Sequence, residues 1–287
     1  MNKFLKKTIW ISLICFYFFQ IELVRAIVPY YYFPTKKNLQ KESLSIGKNA
    51  YQLLYFGQYK QSLNLAKLAV KINKTDEKLF LILAEAQIAN NLHKQALNSL
   101  NEAQKLNSNN SEIYFAKSKI YLKIGQLKNA KTALKEGLQI EPNNHNAIFQ
   151  LGNIILMEKN YTQAINLFDK SVKIKPDFWQ GINNKALAYF EKSNINLSIK
   201  HFEKAISIQE NAEPLLGLAS CLRIKDIKVA LILAKKALAK DPNYVSYNYR
   251  KEQLWGAKLQ ASTEKLLENE ELRNDVMLAK SKVEFSS

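Results

Sequence analysis

The chain has 287 residues, 47% of them apolar, which supplies a folded core and excludes disorder over most of its length. Only 8 glycines and 6 prolines interrupt it, so the composition favours helices over turn-rich sheets. The net charge of +17 comes almost entirely from scattered lysines, which lack the planar fork that reads bases and phosphates.

The first 26 residues have the three parts of a secretory signal. These are Lys3, Lys6 and Lys7, then the apolar run Ile9–Phe19, then Val24-Arg25-Ala26. We expect cleavage after Ala26 and export across a membrane, into a periplasm or a thylakoid lumen. The alternative is a retained membrane anchor at residues 8–24, although the apolar run is shorter than the roughly 20 residues that span a bilayer.

Residues 27–42 form the next segment, in which Pro29 and Pro34 bracket four aromatic residues. Prolines at both ends favour an extended conformation. We interpret the segment as an aromatic N-terminal cap lying across the first helices. Binding of a partner or of a membrane interface, where tyrosine rings are at home, is the other interpretation.

From residue 43 the chain repeats with a period of about 34 residues. Three places in each unit, the eighth, the twentieth and the twenty-seventh, always hold a small residue. They are Ala50, Ser62 and Ala69; Ala84, Ala96 and Ala103; Ser118, Ala130 and Gly137; Gly152, Ala164 and Ser171; Ala186, Ser198 and Ala205. Small residues allow two antiparallel helices to approach closely, and the bulky residues between them fill the gaps.

The repeats resemble the tetratricopeptide repeat (TPR), which has small residues at these places, aromatic residues at the eleventh and twenty-fourth, and proline at the thirty-second. The matches are Tyr121 and Tyr189, Phe168 and Phe202, and Pro142 and Pro176. The resemblance implies an all-α fold, a right-handed α-solenoid of stacked helical hairpins. The aromatic head followed by Gly57-Gln58-Tyr59 is also similar to exported TPR proteins of cyanobacteria.

The register divides residues 43–244 into five regular repeats and one irregular repeat. They are 43–76, 77–110, 111–144, 145–178, 179–212 and the irregular 211–244. Terminal repeats are commonly atypical because they cap the stack. Residues 245–287 have helical spacing of apolar residues and are predicted to be capping helices with a frayed tail.

No residue pattern supports catalysis, a cofactor or a metal site. His93, His145 and His201 lie in different repeats and lack the spacing of metal ligands. Cys221 is predicted to be a small buried residue. Glycine-rich phosphate loops and nucleophile motifs are absent from the sequence. We therefore expect neither an enzyme nor a binder of small molecules or nucleic acid.

The resemblance implies that the first helices line a concave groove that binds partners. It places ligand contacts at the second, fifth, sixth, ninth, twelfth and thirteenth places of each repeat. These include Lys48, Tyr51, Tyr55, Glu85, Phe115, Lys119, Lys123, Phe149, Gln150, Asn153, Asn183, Asn184, Leu187 and Phe190. Aromatic anchors with amide groups suit a protein or peptide partner. The positive net charge of the chain would favour an acidic one. The alternative function is a membrane-surface organiser that binds anionic lipid through its Lys-rich face and aromatic head. The sequence does not identify the partner.

Overall fold

The structure, a computed structural model, describes residues 34–284. The chain divides into two compact units, one up to Glu42 and one from Ser43 onward. The leader at 1–26 and most of the predicted aromatic cap lie outside the described residues. Within residues 34–284 the regular structure is helical, without strands.

Helices alternate as pairs along the chain. The pairs are α1 (Lys36–Tyr55) with α2 (Tyr59–Ile72), α3 (Glu77–Ala89) with α4 (His93–Leu106), α5 (Ser111–Lys123) with α6 (Leu127–Ile140), α7 (His145–Met157) with α8 (Tyr161–Ile174), α9 (Trp179–Glu191) with α10 (Ile195–Ile208), and α11 (Ala212–Leu222) with α12 (Ile227–Lys240). From α3 to α12, each first helix packs on its own second helix, and each second helix packs on the next pair. This is the stacked hairpin array that the sequence predicted.

The first helices of the second to fifth repeats begin at Glu77, Ser111, His145 and Trp179, which are the predicted repeat starts. Three of them are capped by the residue before, because the side chains of Asp76, Asn110 and Asn144 accept a backbone N–H from the first turn. The sequence therefore fixes these starts locally, through one short polar residue each.

Helix α1 begins earlier than the repeat register, at Lys36. The hydroxyl of Thr35 accepts the backbone N–H of Asn38 at 3.2 Å and so caps the first turn. The extended segment predicted for residues 27–42 therefore differs from the structure at residues 36–42, which are helical.

The predicted small residues are all buried. At two repeats the contact is also hydrogen-bonded: the Ser62 hydroxyl donates to the Ala50 carbonyl at 2.7 Å, and Ser198 donates to Ala186 at 2.9 Å. At Gly152 an added Cβ would lie 2.6 Å from Cε1 of Phe168, so the ring occupies space that only glycine leaves. Close packing of small against large residues thus holds each pair together.

Five of the hairpins share one turn. The fifteenth residue of each repeat has a positive φ, and these residues are Gly57 (72°), Asn91 (60°), Gly125 (75°), Lys159 (60°) and Ser193 (62°). The next residue donates its backbone N–H to the carbonyl five residues back, for example Gln58 to Leu53 at 2.9 Å. This Schellman ending satisfies the last carbonyls of the first helix and reverses the chain.

Residues 242–284, here called the C-terminal segment, follow the last pair. They form a 3-10 helix at Pro242–Val245, α13 (Tyr247–Glu252), α14 (Ala257–Leu267), a 3-10 helix at Glu270–Leu272, and α15 (Arg273–Glu284). Both 3-10 helices and α15 pack on α12, as expected for a cap. Helix α14 instead packs on α9 and α11, the first helices of the fifth and sixth repeats. The segment therefore covers the last repeat and also part of the groove.

Candidate functional site

The first helices of the first three repeats, with Gln150 from the first helix of the fourth, enclose an open cavity of about 830 Å³, here called the groove cavity. It is lined by Tyr51, Leu54, Tyr55, Leu81, Glu85, Ile88, Ala89, Glu112, Phe115, Ala116, Lys119 and Gln150. Six of the fourteen groove residues predicted from the sequence meet here: Tyr51, Tyr55, Glu85, Phe115, Lys119 and Gln150. All of the lining residues stand on first helices, as expected for a concave face.

Two tyrosines of α1 form an exposed aromatic edge of the groove cavity. Tyr51 is 55% exposed and Tyr55 is 84% exposed, and the Tyr55 ring meets the ring of Phe56 edge to face with centroids 5.5 Å apart. Large aromatic side chains at such exposure contribute little to the stability of the chain. They are the residue types that anchor partners in protein interfaces.

Phe115, in contrast, is held by packing as well as facing the cavity. Its ring lies against Gly137 of α6 so closely that an added Cβ there would clash with it. It also packs against a cluster of buried residues that includes Leu134 and Ala147. Glycine at the twenty-seventh place therefore positions this aromatic ring in the wall of the groove cavity.

The charged groups of the groove cavity are two carboxylates, Glu85 and Glu112, and one ammonium, Lys119. Glu85 is exposed at the cavity surface, and partial desolvation of its carboxyl, with Glu112 nearby, raises the pKa of Glu85, while Lys119 lowers it. Within residues 34–284 neither carboxylate forms an ion pair. The lining of the cavity is therefore formally acidic by one charge, in a chain whose net charge is +17.

The remaining predicted lysines lie beside the groove cavity and do not line it. Lys48 is exposed on α1. Lys123 donates a hydrogen bond from Nζ to Oδ1 of Asn91 at 2.7 Å, which ties the ends of α5 and α3 together. Lys123 therefore has a structural partner in the neighbouring turn.

A second cavity, of about 470 Å³, lies between the middle repeats and the C-terminal segment, and is here called the amide cavity. The predicted residues Phe149, Gln150, Asn153 and Asn184 line it. Nδ2 of Asn184 donates to Oδ1 of Asn153 at 2.8 Å, and Nδ2 of Asn183 donates to Oδ1 of Asn184 at 3.1 Å. Phe149 is packed on Phe178 with ring centroids 4.9 Å apart, so it supports the wall more than it projects from it.

Asn184, in the wall of the amide cavity, is 7% exposed, and the other three predicted groove residues of the fifth repeat are buried as well. Asn183 is 0% exposed, Leu187 is 1% exposed and Phe190 is 7% exposed. Leu187 lies beside Trp255 and Ala257 of the C-terminal segment, and Phe190 belongs to the same core cluster as Leu259. In this part of the array the chain itself covers the groove, so these three side chains are not available to a partner.

The C-terminal segment is fastened to the groove by polar contacts. Nε1 of Trp255 donates to Oε1 of Glu213 at 3.1 Å, and the Glu191 carboxylate accepts the backbone N–H of Leu259 at 3.0 Å. Burial raises the pKa of Glu213 to about 7, against hydrogen bonds from Trp255, Asn183 and Tyr244 that lower it. The segment is thus an integral part of the array.

Arg250 holds the C-terminal segment together internally. Its guanidinium is 0% exposed, donates from Nε to Gln260 at 2.8 Å and from Nη1 to the carbonyl of Tyr244 at 2.6 Å, and pairs with the Glu264 carboxylate. The sequence did not single out Arg250 or Glu213, because their roles depend on contacts between distant parts of the chain.

The sequence also passed over several residues of the groove cavity, among them Leu54, Leu81, Ile88 and Glu112. They stand at the second, fifth and twelfth places of their repeats, which the family resemblance assigns to ligand contacts. Taking every residue at the contact places of each repeat, and not mainly the aromatic, amide and lysine residues, would have included them.

The comparisons with known proteins agree with this geometry. The family model described as "Tetratricopeptide repeat" matches residues 111–144 and 180–211, the third and fifth of the predicted repeats. The chain contains tetratricopeptide repeats. A search of curated proteins finds no match.

Solved TPR structures have the same fold at low sequence identity. PilF of Pseudomonas aeruginosa has a TM-score of 0.63 at 18% identity, covering 76% of this chain and 98% of that one. MamA of Desulfovibrio magneticus has a TM-score of 0.54 at 19% identity, covering 60% and 96%. YrrB, whose structure is described as "a TPR protein with an unusual peptide-binding site", has a TM-score of 0.50 at 18% identity, covering 71% and 98%. These likenesses show the TPR fold.

Among residues 34–284, no helix combines the length and the apolar character needed to cross a bilayer.

Proposed function

We propose that this TPR protein is a non-catalytic scaffold or assembly factor that holds a partner protein or peptide in the groove of its first repeats. The observation that carries the proposal is the convergence of six predicted contact residues on one open cavity of about 830 Å³. Exposed Tyr51 and Tyr55 at its edge supply anchors, and the amide of Gln150 supplies a hydrogen-bonding group. The peptide-binding site described for YrrB supports a similar use of this fold.

The chemistry of the described residues supports a non-catalytic role. Cys221 is buried, and burial raises the pKa of its thiol to about 12, so the reactive thiolate is scarce at neutral pH. His201 is stacked on the Tyr189 ring, with centroids 5.3 Å apart, which gives it a packing role. Within residues 34–284 no cluster of His, Cys, Asp and Glu could hold a metal ion.

The test begins by identifying the partner, through crosslinking of the native chain in its own cell envelope. The affinity of that purified partner is then compared for wild type, Tyr51→Ala, Tyr55→Ala and Tyr59→Ala. We expect each of the first two to weaken binding about tenfold, the loss typical of an interface anchor. Tyr59 is the matched control, since it is 48% exposed but lies on α2, outside the groove cavity. Equal effects of all three substitutions would contradict the proposal.

Binding of anionic lipid through the Lys-rich surface and the aromatic head is the second function that the sequence left open. Liposome flotation tests it with the purified chain alone. Salt-sensitive binding to anionic vesicles, undiminished by Tyr51→Ala, would favour the lipid function over the groove. The acidic character of the partner, expected from the net charge, stays a prediction.

We further propose that the chain is exported and that its leader is removed after Ala26, as the sequence pattern favours. Mass spectrometry of the mature N-terminus tests this: a chain beginning at Ile27 supports cleavage, and an intact start supports the anchor at residues 8–24. The similarity to cyanobacterial TPR proteins stays a prediction, since it depends largely on the aromatic head.

A further inference from the structure

The groove of the last repeats already holds a helix. Helix α14 lies on α9 and α11 with Leu259, Thr263 and Leu266 fully buried, while Lys258 and Lys265 face solvent. It is thus an amphipathic helix whose apolar face fills the concave side of the fifth and sixth repeats. First helices of this array therefore pack against a further helix of the same chain.

Within residues 34–284, no helix of the C-terminal segment packs on the corresponding surface of the first three repeats. Tyr51 is 55% exposed at the edge of the groove cavity, where Leu187, at the same place of the fifth repeat, is 1% exposed. Leu54, Leu81 and Ile88 supply an apolar floor between the aromatic residues. A surface of this shape and polarity fits the apolar face of an amphipathic helix.

The charges of the groove cavity restrict which helix fits. Glu112 lies in the first turn of α5, where the positive end of the helix dipole stabilises a negative charge. Glu85 lies in the interior of α3, away from the first turn, so the helix dipole does not stabilise its negative charge. Desolvation and Glu112 raise the pKa of Glu85 and Lys119 lowers it, and because the pKa is raised on balance, Lys119 compensates the negative charge only in part. A cation brought by a ligand would supply that compensation.

We propose that the groove cavity binds an amphipathic helix of a partner protein that carries a Lys or Arg beside its apolar face, opposite Glu85 and Glu112. The inference rests on the proposed function and names the chemistry of the partner. The apolar face packs on Leu54, Leu81 and Ile88 between the aromatic rings. The cation contacts the two carboxylates.

Three synthetic helical peptides of about 18 residues test the proposal on the full chain. The first has a leucine stripe flanked by Lys, the second has the same stripe flanked by Glu, and the third has the composition of the first with its leucines scrambled. Affinities are measured by fluorescence anisotropy at about 0.15 M salt, where distant charges are screened. A chain with a net charge of +17 attracts the Glu peptide non-specifically, so a preference for Lys must come from the site.

We expect the Lys peptide to bind wild type at least about fivefold tighter than the Glu peptide, and tighter than the scrambled peptide. The double variant Glu85→Gln, Glu112→Gln should lose the preference. The control Glu203→Gln, Glu268→Gln removes two exposed carboxylates elsewhere and should keep it.

A tighter Glu peptide, equal binding of the scrambled peptide, absence of saturable binding, or a preference that survives in the Glu85→Gln, Glu112→Gln variant would each overturn the proposal. The proposed function is judged separately, by the native partner and Tyr51→Ala. If the native partner depends on Tyr51 but the peptides show no preference for Lys, the groove function stands and the partner chemistry inferred here falls.

Discussion

Glu191, at the end of α9, caps the start of α14 by accepting the backbone N–H of Leu259, a residue 68 positions further along the chain, at 3.0 Å. The residue in the usual cap position, Gly256, has no side chain to do so. An added Cβ on Gly256 would lie 2.6 Å from the Glu191 carboxylate oxygen, so glycine makes room for the cap. A carboxylate from the groove thereby anchors the helix that closes the groove.

Glu191→Ala should destabilise the C-terminal segment by about 1 to 2 kcal/mol, because α14 loses its cap and two backbone N–H groups lose their acceptor. Hydrogen exchange should accelerate in residues 257–267 before it accelerates in α3 to α8. Glu203→Ala, an exposed substitution on α10, is the control. Unchanged exchange in α14 would show that the cap does not hold the segment.

The shared hairpin turn predicts opposite effects of two substitutions. Lys159 has a φ of 60°, a left-handed backbone conformation that destabilises any residue with a Cβ by about 1 kcal/mol relative to glycine. Lys159→Gly should therefore stabilise the chain by up to that amount. Gly125, with a φ of 75°, should lose a similar amount on change to Ala. Urea unfolding measures both, with Lys170→Gly within α8 as a control that should be destabilised by about 1 kcal/mol. Destabilisation by Lys159→Gly would contradict the turn assignment.

Gly152→Ala separates packing from helix propensity. Within a helix, Gly to Ala ordinarily stabilises by about 1 kcal/mol. Here the new Cβ would lie 2.6 Å from the Phe168 ring, so we expect a net loss of about 1 to 3 kcal/mol. Adding Phe168→Leu removes the ring edge, and the double variant should lose less than the sum of the two single losses. Simple additivity in this thermodynamic cycle would contradict the close contact.

Glu213 makes stability depend on pH. Its pKa rises from 4.5 to about 7 on folding, so the folded chain keeps a proton that the unfolded chain releases. The contribution of Glu213 is therefore fully present below pH 4.5 and is lost as the pH rises to about 7. Urea midpoints measured across this window should fall less steeply with pH in Glu213→Gln than in wild type. A variant with the same slope as wild type would contradict the raised pKa.

His201 changes the pH dependence of stability in the opposite direction to Glu213, so its substitution provides a comparison. Burial, with Lys185 nearby, lowers the pKa of His201 from 6.5 to about 4, so the folded chain disfavours its protonated form. Its contribution is present above pH 6.5 and is lost as the pH falls to about 4. His201→Gln should therefore make stability fall more steeply with rising pH than in wild type.

The sequence predicted the array because its packing is local and periodic. Ala50, Ala130 and Ser198 each fill a place where two adjacent helices touch, and that requirement repeats at a fixed spacing. The sixth repeat was also visible, through Ala230 and Ala237, both of which are buried.

The C-terminal segment shows where sequence reasoning stopped. Its apolar spacing predicted helices, but no local signal places Leu259 against Glu191 rather than beyond α12. The groove was consequently extended to Leu187 and Phe190, which pack with the segment in one core cluster, and to Asn183, which is buried. The charge of the groove cavity was likewise hidden, because Glu85 and Glu112 lie in different repeats and meet only in the folded array.

Binding of a partner in the groove cavity can be tested by hydrogen exchange of the full chain with and without its purified partner. We expect the partner to protect α1, α3 and α5, whose side chains line the groove cavity, and to leave α2, α4 and α6 unchanged. Protection confined to those second helices, or to the C-terminal segment, would contradict a function carried by the groove.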